Sequence, residues 1–188
     1  MVLAWYMDSD ETTDQRKPHK PQPTQYRAIK DLEKIGVFYR QLAGEPEEKD
    51  KLELKQIRED RGYFFHDQIT VCKNILPNYD QKIKQFYEEH IHTDEEVRFI
   101  LEGTGYFDVR DEKDRWLRIL VEKGDFLVLP AGIYHRFTCD ENDYIKAMRL
   151  FQKHPIWTPY NRSAQADDMP ARLKYLEKYG KLAQHIES

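Results

Sequence analysis

Two segments of the chain hold residues that could do chemistry together. The first is His90-Ile91-His92-Thr93-Asp94-Glu95-Glu96. In an extended strand, residues two apart point to the same face, with Cα atoms about 6.5–7 Å apart. Imidazoles at that spacing can converge on one metal ion. On a helix the same pair would diverge by roughly 200°, so it requires strand or loop. A carboxylate from this segment would complete a mixed nitrogen and oxygen site. Glu96 lies four residues past His92, about 13 Å along a straight strand. The chain must therefore bend between Thr93 and Glu95, and on spacing alone Asp94 is an equal candidate. The second segment, residues 124–135 (GDFLVLPAGIYH), reads as a strand, a tight Pro-x-Gly turn and a new strand opening on His135. Each residue alone has a plainer reading: a chance His-x-His, a solvated Glu96, a structural His135. Their joint occurrence points to a metal.

Such ligands need a rigid frame. From His90 onward the pattern turns to period two, in short runs rich in aromatic and β-branched residues: Arg98–Leu101, Gly105–Val109, Trp116–Val121, Phe126–Leu129, Tyr134–Thr138 and Tyr144–Phe151. Turn signals separate them, including Glu102-Gly103-Thr104-Gly105 and Lys123-Gly124-Asp125. Evenly spaced short strands predict an antiparallel sandwich or barrel. Upstream, Val2–Met7 reads as a strand. Asp8–Thr24, with Pro18, Pro21 and Pro23, reads as a loop. A helix is predicted from about Thr24 to Ile35, ended by Gly36. Glu47–Arg61 reads as a charged surface helix whose apolar members are Leu52, Leu54 and Ile57. Pro77 and Asn78 open a short helix with Ile83, Phe86 and Tyr87 on one face. Near the end, Asp168 is the expected cap of a helix with Pro170 just inside it, packed through Leu173, Leu176, Tyr179 and Leu182.

Bulk properties set limits. The 188 residues suit one domain. A net charge of −4 argues against nucleic acid as a partner, since phosphate binding needs clustered Lys and Arg. Two cysteines, Cys72 and Cys139, make a disulfide framework unexpected and suit a reducing compartment. Met1–Met7 is apolar but too short for a signal peptide, and no run approaches a membrane span. The other histidines, His19, His66, His154 and His185, have no second ligand at useful spacing.

The ligand segments resemble the two motifs of the cupin superfamily. His90-x-His92-x3-Glu96-x6-Gly103 matches the first, and Gly124-x5-Pro130-x-Gly132-x2-His135 the second. Two positions depart from the pattern: Lys84 and Cys139 stand where a glycine and an asparagine are expected, and neither is a ligand position. The blocks around them narrow the resemblance to acireductone dioxygenases of the eukaryotic type. These are residues 86–98 (FYEEHIHTDEEVR), 105–110 (GYFDVR), 129–137 (LPAGIYHRF), 146–151 (KAMRLF), Ala4–Met7 and 157–162 (WTPYNR), so nearly the whole chain is covered.

That resemblance implies a mainly β fold: a cupin (jelly-roll) β-barrel with several flanking helices in the N-terminal part and a C-terminal helix. It implies a single domain over residues 1–188, with a mixed α/β part at 1–80, the barrel core with its metal site at 81–162, and the helix at 163–188. The preference for Glu96 over Asp94 comes from it, giving His90, His92, Glu96 and His135 as ligands of one Fe²⁺ or Ni²⁺ per chain, with two open octahedral positions. The implied substrates are O₂ and the acireductone 1,2-dihydroxy-5-methylthiopent-1-en-3-one of methionine salvage, chelated through its enediol oxygens. With iron the family gives formate and 4-methylthio-2-oxobutanoate. With nickel it gives formate, carbon monoxide and 3-methylthiopropionate. Arg98 is the expected counter-charge to the substrate anion, against the alternative of a surface ion pair with Glu95 or a neighbour, and Arg149 is a second candidate. Phe86, Phe107, Phe137 and Phe151 are candidates for the methylthio pocket, against plain core packing. The expected protein is monomeric, cytoplasmic with the nucleus as a second location, and free of nucleic-acid or membrane partners. Another cupin enzyme and a non-catalytic binding barrel are the competing readings. The specific blocks disfavour the first, and the four filled ligand positions disfavour the second.

Overall fold

In a computed structural model of the chain, residues 3–10, 12–42, 48–154 and 158–180 are described. Met1, Val2, Glu47, Trp157, Leu182 and His185, all named above, lie outside them. The architecture is organised by one long strand. β6 (Glu96–Arg110) runs through two opposed faces of an antiparallel sheet. Its first half pairs with β8 (Asp125–Leu129) and β10 (Ile145–Phe151), its second half with β7 (Trp116–Glu122) and β9 (His135–Cys139). On the first face, β4 (Phe65–Val71) extends β10 and β3 (Phe38–Gln41) extends β8. On the second face, β1 (Leu3–Tyr6) and β2 (Tyr26–Arg27) extend β7. There β5 (His90–Ile91) and β11 (Tyr160–Asn161) extend β9.

The expectation of two strands parted by a turn at Glu102–Gly105 is corrected: the chain runs through as one strand with a bulge. Across the pair with β10, Lys146 faces Glu102 and Ala147 faces Ile100, so Leu101 is an extra residue. An extra residue reverses the alternation of side chains beyond it. Before the bulge, Glu96, Arg98 and Ile100 face the barrel interior, and after it Phe107 and Val109 do. Gly103 takes φ +75°, where a Cβ would collide with the carbonyl of Tyr144. The glycine read as a turn signal serves a bend inside a strand.

The main core lies between the faces. Ile100, Phe107, Val109, Ile119, Val121, Leu127, Leu129, Ile145 and Ala147 meet there. A second cluster covers the outside of the first face. Val97, Phe126, Val128 and Leu150 pack under Leu54 and Ile57 of α2 (Glu48–Arg61). Leu52 of that helix is instead exposed.

Residues upstream of the ligand motif contribute strands β1 to β4 directly to the sheet. The helix expected from Thr24 starts later, as α1 (Ile29–Lys34). Tyr26 and Arg27 are drawn into β2 by pairing with Trp5 and Ala4. At the other end, Asp168 does not cap the last helix. It closes a short helix that pattern reading missed, α4 (Ala164–Asp167), which is capped by Ser163. The terminal helix, α5 (Pro170–Tyr179), begins at Pro170 and buries Tyr175, while Leu173 and Leu176 are exposed. α3 (Tyr79–Tyr87) lies along β9. No helix among the described residues is long and apolar enough to cross a membrane.

The Pro-containing segment 8–24 acts as a cover. Arg118, with no exposed surface, forks onto Asp108 (Nε–Oδ1 2.6 Å, Nη2–Oδ2 2.8 Å) and donates to the carbonyls of Gln15 and Lys17. Arg136 adds a bond to Asp108 at 2.9 Å, and the Trp5 indole donates to the Pro18 carbonyl at 2.8 Å. Removing one partner of a buried pair leaves the other charge uncompensated and costs about 3–5 kcal/mol. Asp108→Ala is therefore expected to lower unfolding stability by about that amount, read from urea denaturation. A loss below about 1 kcal/mol, the size of an exposed pair, would refute the buried-pair account.

Candidate metal centre

His90 opens β5 opposite His135, the first residue of β9. The ladder thus places two imidazoles side by side, with ring centroids 4.4 Å apart. His92 follows the end of β5, and the chain bends at Thr93 and Asp94 before Glu96 starts β6. That bend returns the Glu96 carboxylate to the histidines: Oε2 lies 3.2 Å from His92 Nε2 and 3.4 Å from His135 Nε2. Asp94, equal to Glu96 on spacing, is turned away into an exposed pair with Lys153.

The donor atoms of His90, His92, Glu96 and His135 all lie within 4.8 Å of one another. Ligands about 2.1 Å from an ion can be at most about 4.2 Å apart, so a few tenths of an ångström of contraction would close the shell. Each imidazole is also fixed in tautomer. His90, His92 and His135 donate through Nδ1 to the carbonyls of Glu88 (2.7 Å), Thr158 (3.2 Å) and Ile133 (2.9 Å). A carbonyl only accepts, so every Nδ1 carries a proton, and each Nε2 presents a lone pair inward when the ring is neutral. Nε2 of His135 is buried without a hydrogen-bond partner. A buried, oriented lone pair left unsatisfied is what a ligand position requires.

The turn before His135 is held from two sides. Gly132, at φ +81°, donates to the His92 carbonyl at 3.0 Å, linking the two ligand segments. Its own carbonyl accepts from Arg172, and a Cβ at this position would strike the backbone of Ala171 in α5.

Electrostatics set the site's charge. Burial alone would raise the pKa of Glu96, but Arg98 first, then His135 and His92, hold it well below the usual carboxylate range. Burial, with His135 alongside, pushes His90 down to about 3. Burial works the same way on His92, yet the hydrogen bond and charge of Glu96 prevail and raise it. Arg98 contacts Glu96 through Nη2 at 3.1 Å, not Glu95, which accepts from Tyr63. Arg98 thus pairs with a neighbouring carboxylate, as the ion-pair alternative allowed, but the pair lies largely buried rather than at the surface. Arg149 stands across the ladder from Arg98 and is gripped by both oxygens of Asp67, each at 2.6 Å.

The centre opens into a cavity of about 490 Å³. Phe86, Phe107 and Phe137 line it, with Phe137 meeting Phe86 edge-on and Phe107 at a tilt (centroids 6.3 and 4.9 Å). Arg98 and Arg149 also line it. Phe151 does not; it lies at a narrow crevice with Tyr63, Asp94 and Lys153. Sequence reading missed Ile69 and Val71 of β4, and Ile100, Ile145 and Ala147, which complete the apolar wall. The alternating run from Phe65 to Val71 was the available signal.

A two-faced antiparallel barrel with three imidazoles and a carboxylate converging inside it is a cupin-type barrel whose site could hold a metal ion. Comparison with known proteins narrows this. Residues 3–159 match the ARD/ARD′ family. The acireductone dioxygenase of Rattus norvegicus is 56% identical over 177 residues, covering 94% of this chain and 97% of that one. That of Ixodes scapularis is 57% identical over 180 residues, covering 94% and 96%. Among solved structures, an acireductone dioxygenase from Bacillus anthracis, with a cadmium ion in its active centre, aligns with a TM-score of 0.66. It is 25% identical, over 85% of this chain and 98% of that one. The chain belongs to the ARD/ARD′ family and is an enzyme of the dioxygenase class.

Two outcomes follow for the metal centre. His90→Ala and His135→Ala are each expected to abolish stoichiometric binding of a divalent ion, measured by metal analysis after desalting, with the folded circular dichroism spectrum retained. Stoichiometric metal in either variant would overturn the ligand set. Because His92 holds a proton above the ordinary histidine range, a metal must displace it at lower pH. Metal affinity is therefore expected to rise with pH through the His92 titration and level off above it, with proton release on uptake below. Calorimetric titration across about pH 5–8 checks this, and a flat profile would be inconsistent with it.

Proposed function

We propose that the protein cleaves the acireductone 1,2-dihydroxy-5-methylthiopent-1-en-3-one with O₂, using one Fe²⁺ or Ni²⁺ held by His90, His92, Glu96 and His135. The observation that carries this reading is the convergence of those four side chains at the wall of an apolar cavity. When bound, the ion supplies a Lewis acid and a template for the two enediol oxygens. The chain's own residues do the rest. Three carbonyl-anchored histidines would hold the ion in a fixed place at the cavity wall. Arg98 keeps Glu96 ionised and sets a positive charge beside the place where the substrate's anion gathers, a preorganised arrangement of the kind that stabilises developing charge. Arg149, neutralised by Asp67, is better suited to shaping the cavity than to balancing the anion. Phe86, Phe107 and Phe137 offer a dry wall suited to the methylthio tail. Phe151 has no place in that wall. The Bacillus relative's cadmium supports a divalent ion at the corresponding place.

Under this reading the metal selects the cleavage. The iron enzyme yields 4-methylthio-2-oxobutanoate and formate, and the nickel enzyme 3-methylthiopropionate, formate and carbon monoxide. The protein acts in methionine salvage as a monomer in the cytoplasm, with the nucleus as a second location. Anaerobic reconstitution with each metal, followed by O₂ and freshly generated acireductone, tests the reading. One metal per chain with metal-dependent products is expected. Bound metal without turnover would reassign the substrate, and identical products from both metals would sink the metal-selection statement.

A further inference from the structure

The charges that face the cavity are not all committed. Three cations line it: Arg98, Arg149 and Lys82. Arg98 is engaged by Glu96 and Arg149 by Asp67. Lys82 has no ion-pair partner among the described residues. It sits on α3, which presents Lys82, Gln85 and Phe86 to the cavity. Phe86 reaches inward to Phe137. Lys82 is one turn earlier on the same helical face and half-buried, while Gln85 is exposed. The helix therefore runs from the apolar wall to the rim, and Lys82 marks the rim. A lysine can lay its methylenes along such a wall and keep its ammonium in water at the mouth. Lys84, two residues on, is exposed and does not line the cavity.

We propose that Lys82 is a positioning residue that draws the anionic substrate to the cavity mouth and raises its capture there. The inference rests on the function proposed above, because it is the acidic enediol that brings a negative charge. Arg98 and Arg149 each sit against a carboxylate inside the cavity, so Lys82 adds a further charge, at the rim, to the positive potential of the metal-loaded site. A single charge at a low-dielectric mouth acts on encounter and capture more than on chemistry. Its effect should therefore fall on kcat/KM, be screened by salt, and leave kcat and metal content nearly unchanged.

The test compares the metal-loaded wild type with Lys82→Met, Lys82→Arg and the control Lys84→Met, at low and high ionic strength. At low salt, Lys82→Met is expected to lose about three- to tenfold in kcat/KM through KM. The gap should close at high salt, Lys82→Arg should restore the wild-type value, and Lys84→Met should match it. A Lys82→Met enzyme equal to wild type at low salt would overturn the proposal, as would a loss in kcat that salt does not alter. Should the wild type fail to turn over acireductone, the proposed function falls separately. Lys82 is then judged by binding of 4-methylthio-2-oxobutanoate to the metal-loaded protein. Weaker binding in Lys82→Met alone supports the proposal; equal affinity, or no binding to either protein, overturns it.

Discussion

The geometry of the site depends on one extra residue. β6 carries Glu96 and Arg98 in its first half and Phe107 in its second, and both halves must face the same interior. A strand that alternates strictly would turn Phe107 outward if Glu96 faced inward, because they differ by an odd number of positions. The bulge at Leu101 supplies the missing step, and Gly103 lets the backbone bend into the second face. With that shift, one continuous strand bears the candidate metal-binding carboxylate on one wall of the barrel and the aromatic lining on the other. Asp108 and Tyr106, outward beyond the bulge, become the partners of Arg118 under the amino-terminal cover.

The centre is also a balance of burial against charge. Four polar side chains in a largely apolar interior would be unfavourable without partners. The structure meets this with groups that cannot themselves compete for the donor face. Three backbone carbonyls occupy the Nδ1 side of the imidazoles, and Arg98 occupies the Glu96 oxygen turned away from them. What remains unsatisfied points to a common centre.

Much of this was legible in the sequence, and the misses share a cause. The common face of His90 and His92 followed from period-two geometry, and the bend after His92 followed from taking Glu96 as their companion, a choice that rested on the family resemblance. Nothing local distinguishes two carboxylates in a bend, and the choice depends on which one the β8 and β10 pairing turns inward. The strand β2 hid inside a helical pattern because its backbone bonds to β1, a partner distant in sequence. Asp67 as the clamp on Arg149 was invisible for the same reason, since β4 meets β10 only across the sheet. Leu173 and Leu176 had helical spacing, but α5 seats Tyr175 instead, whose hydroxyl donates to the Ile35 carbonyl. The carbonyls that set the histidine tautomers belong to no residue type and leave no trace in composition.

The close approach of Gly132 to Ala171 bears on how the protein comes into being. The four ligands are all present once residue 135 has been synthesised, yet the turn that aims His135 has α5 packed against it. That helix follows the ligand segments in the chain and is synthesised after them. Until it docks, the two ligand segments are joined by the β5–β9 pairing and the bond from Gly132, with the outer side of the turn unsupported. At that stage the four side chains can be brought together by the sheet, but the Gly132 turn lacks the Ala171 backbone and the Arg172 bond that brace it. In that respect the terminal helix is a latch on the finished centre, although it contributes no ligand to it.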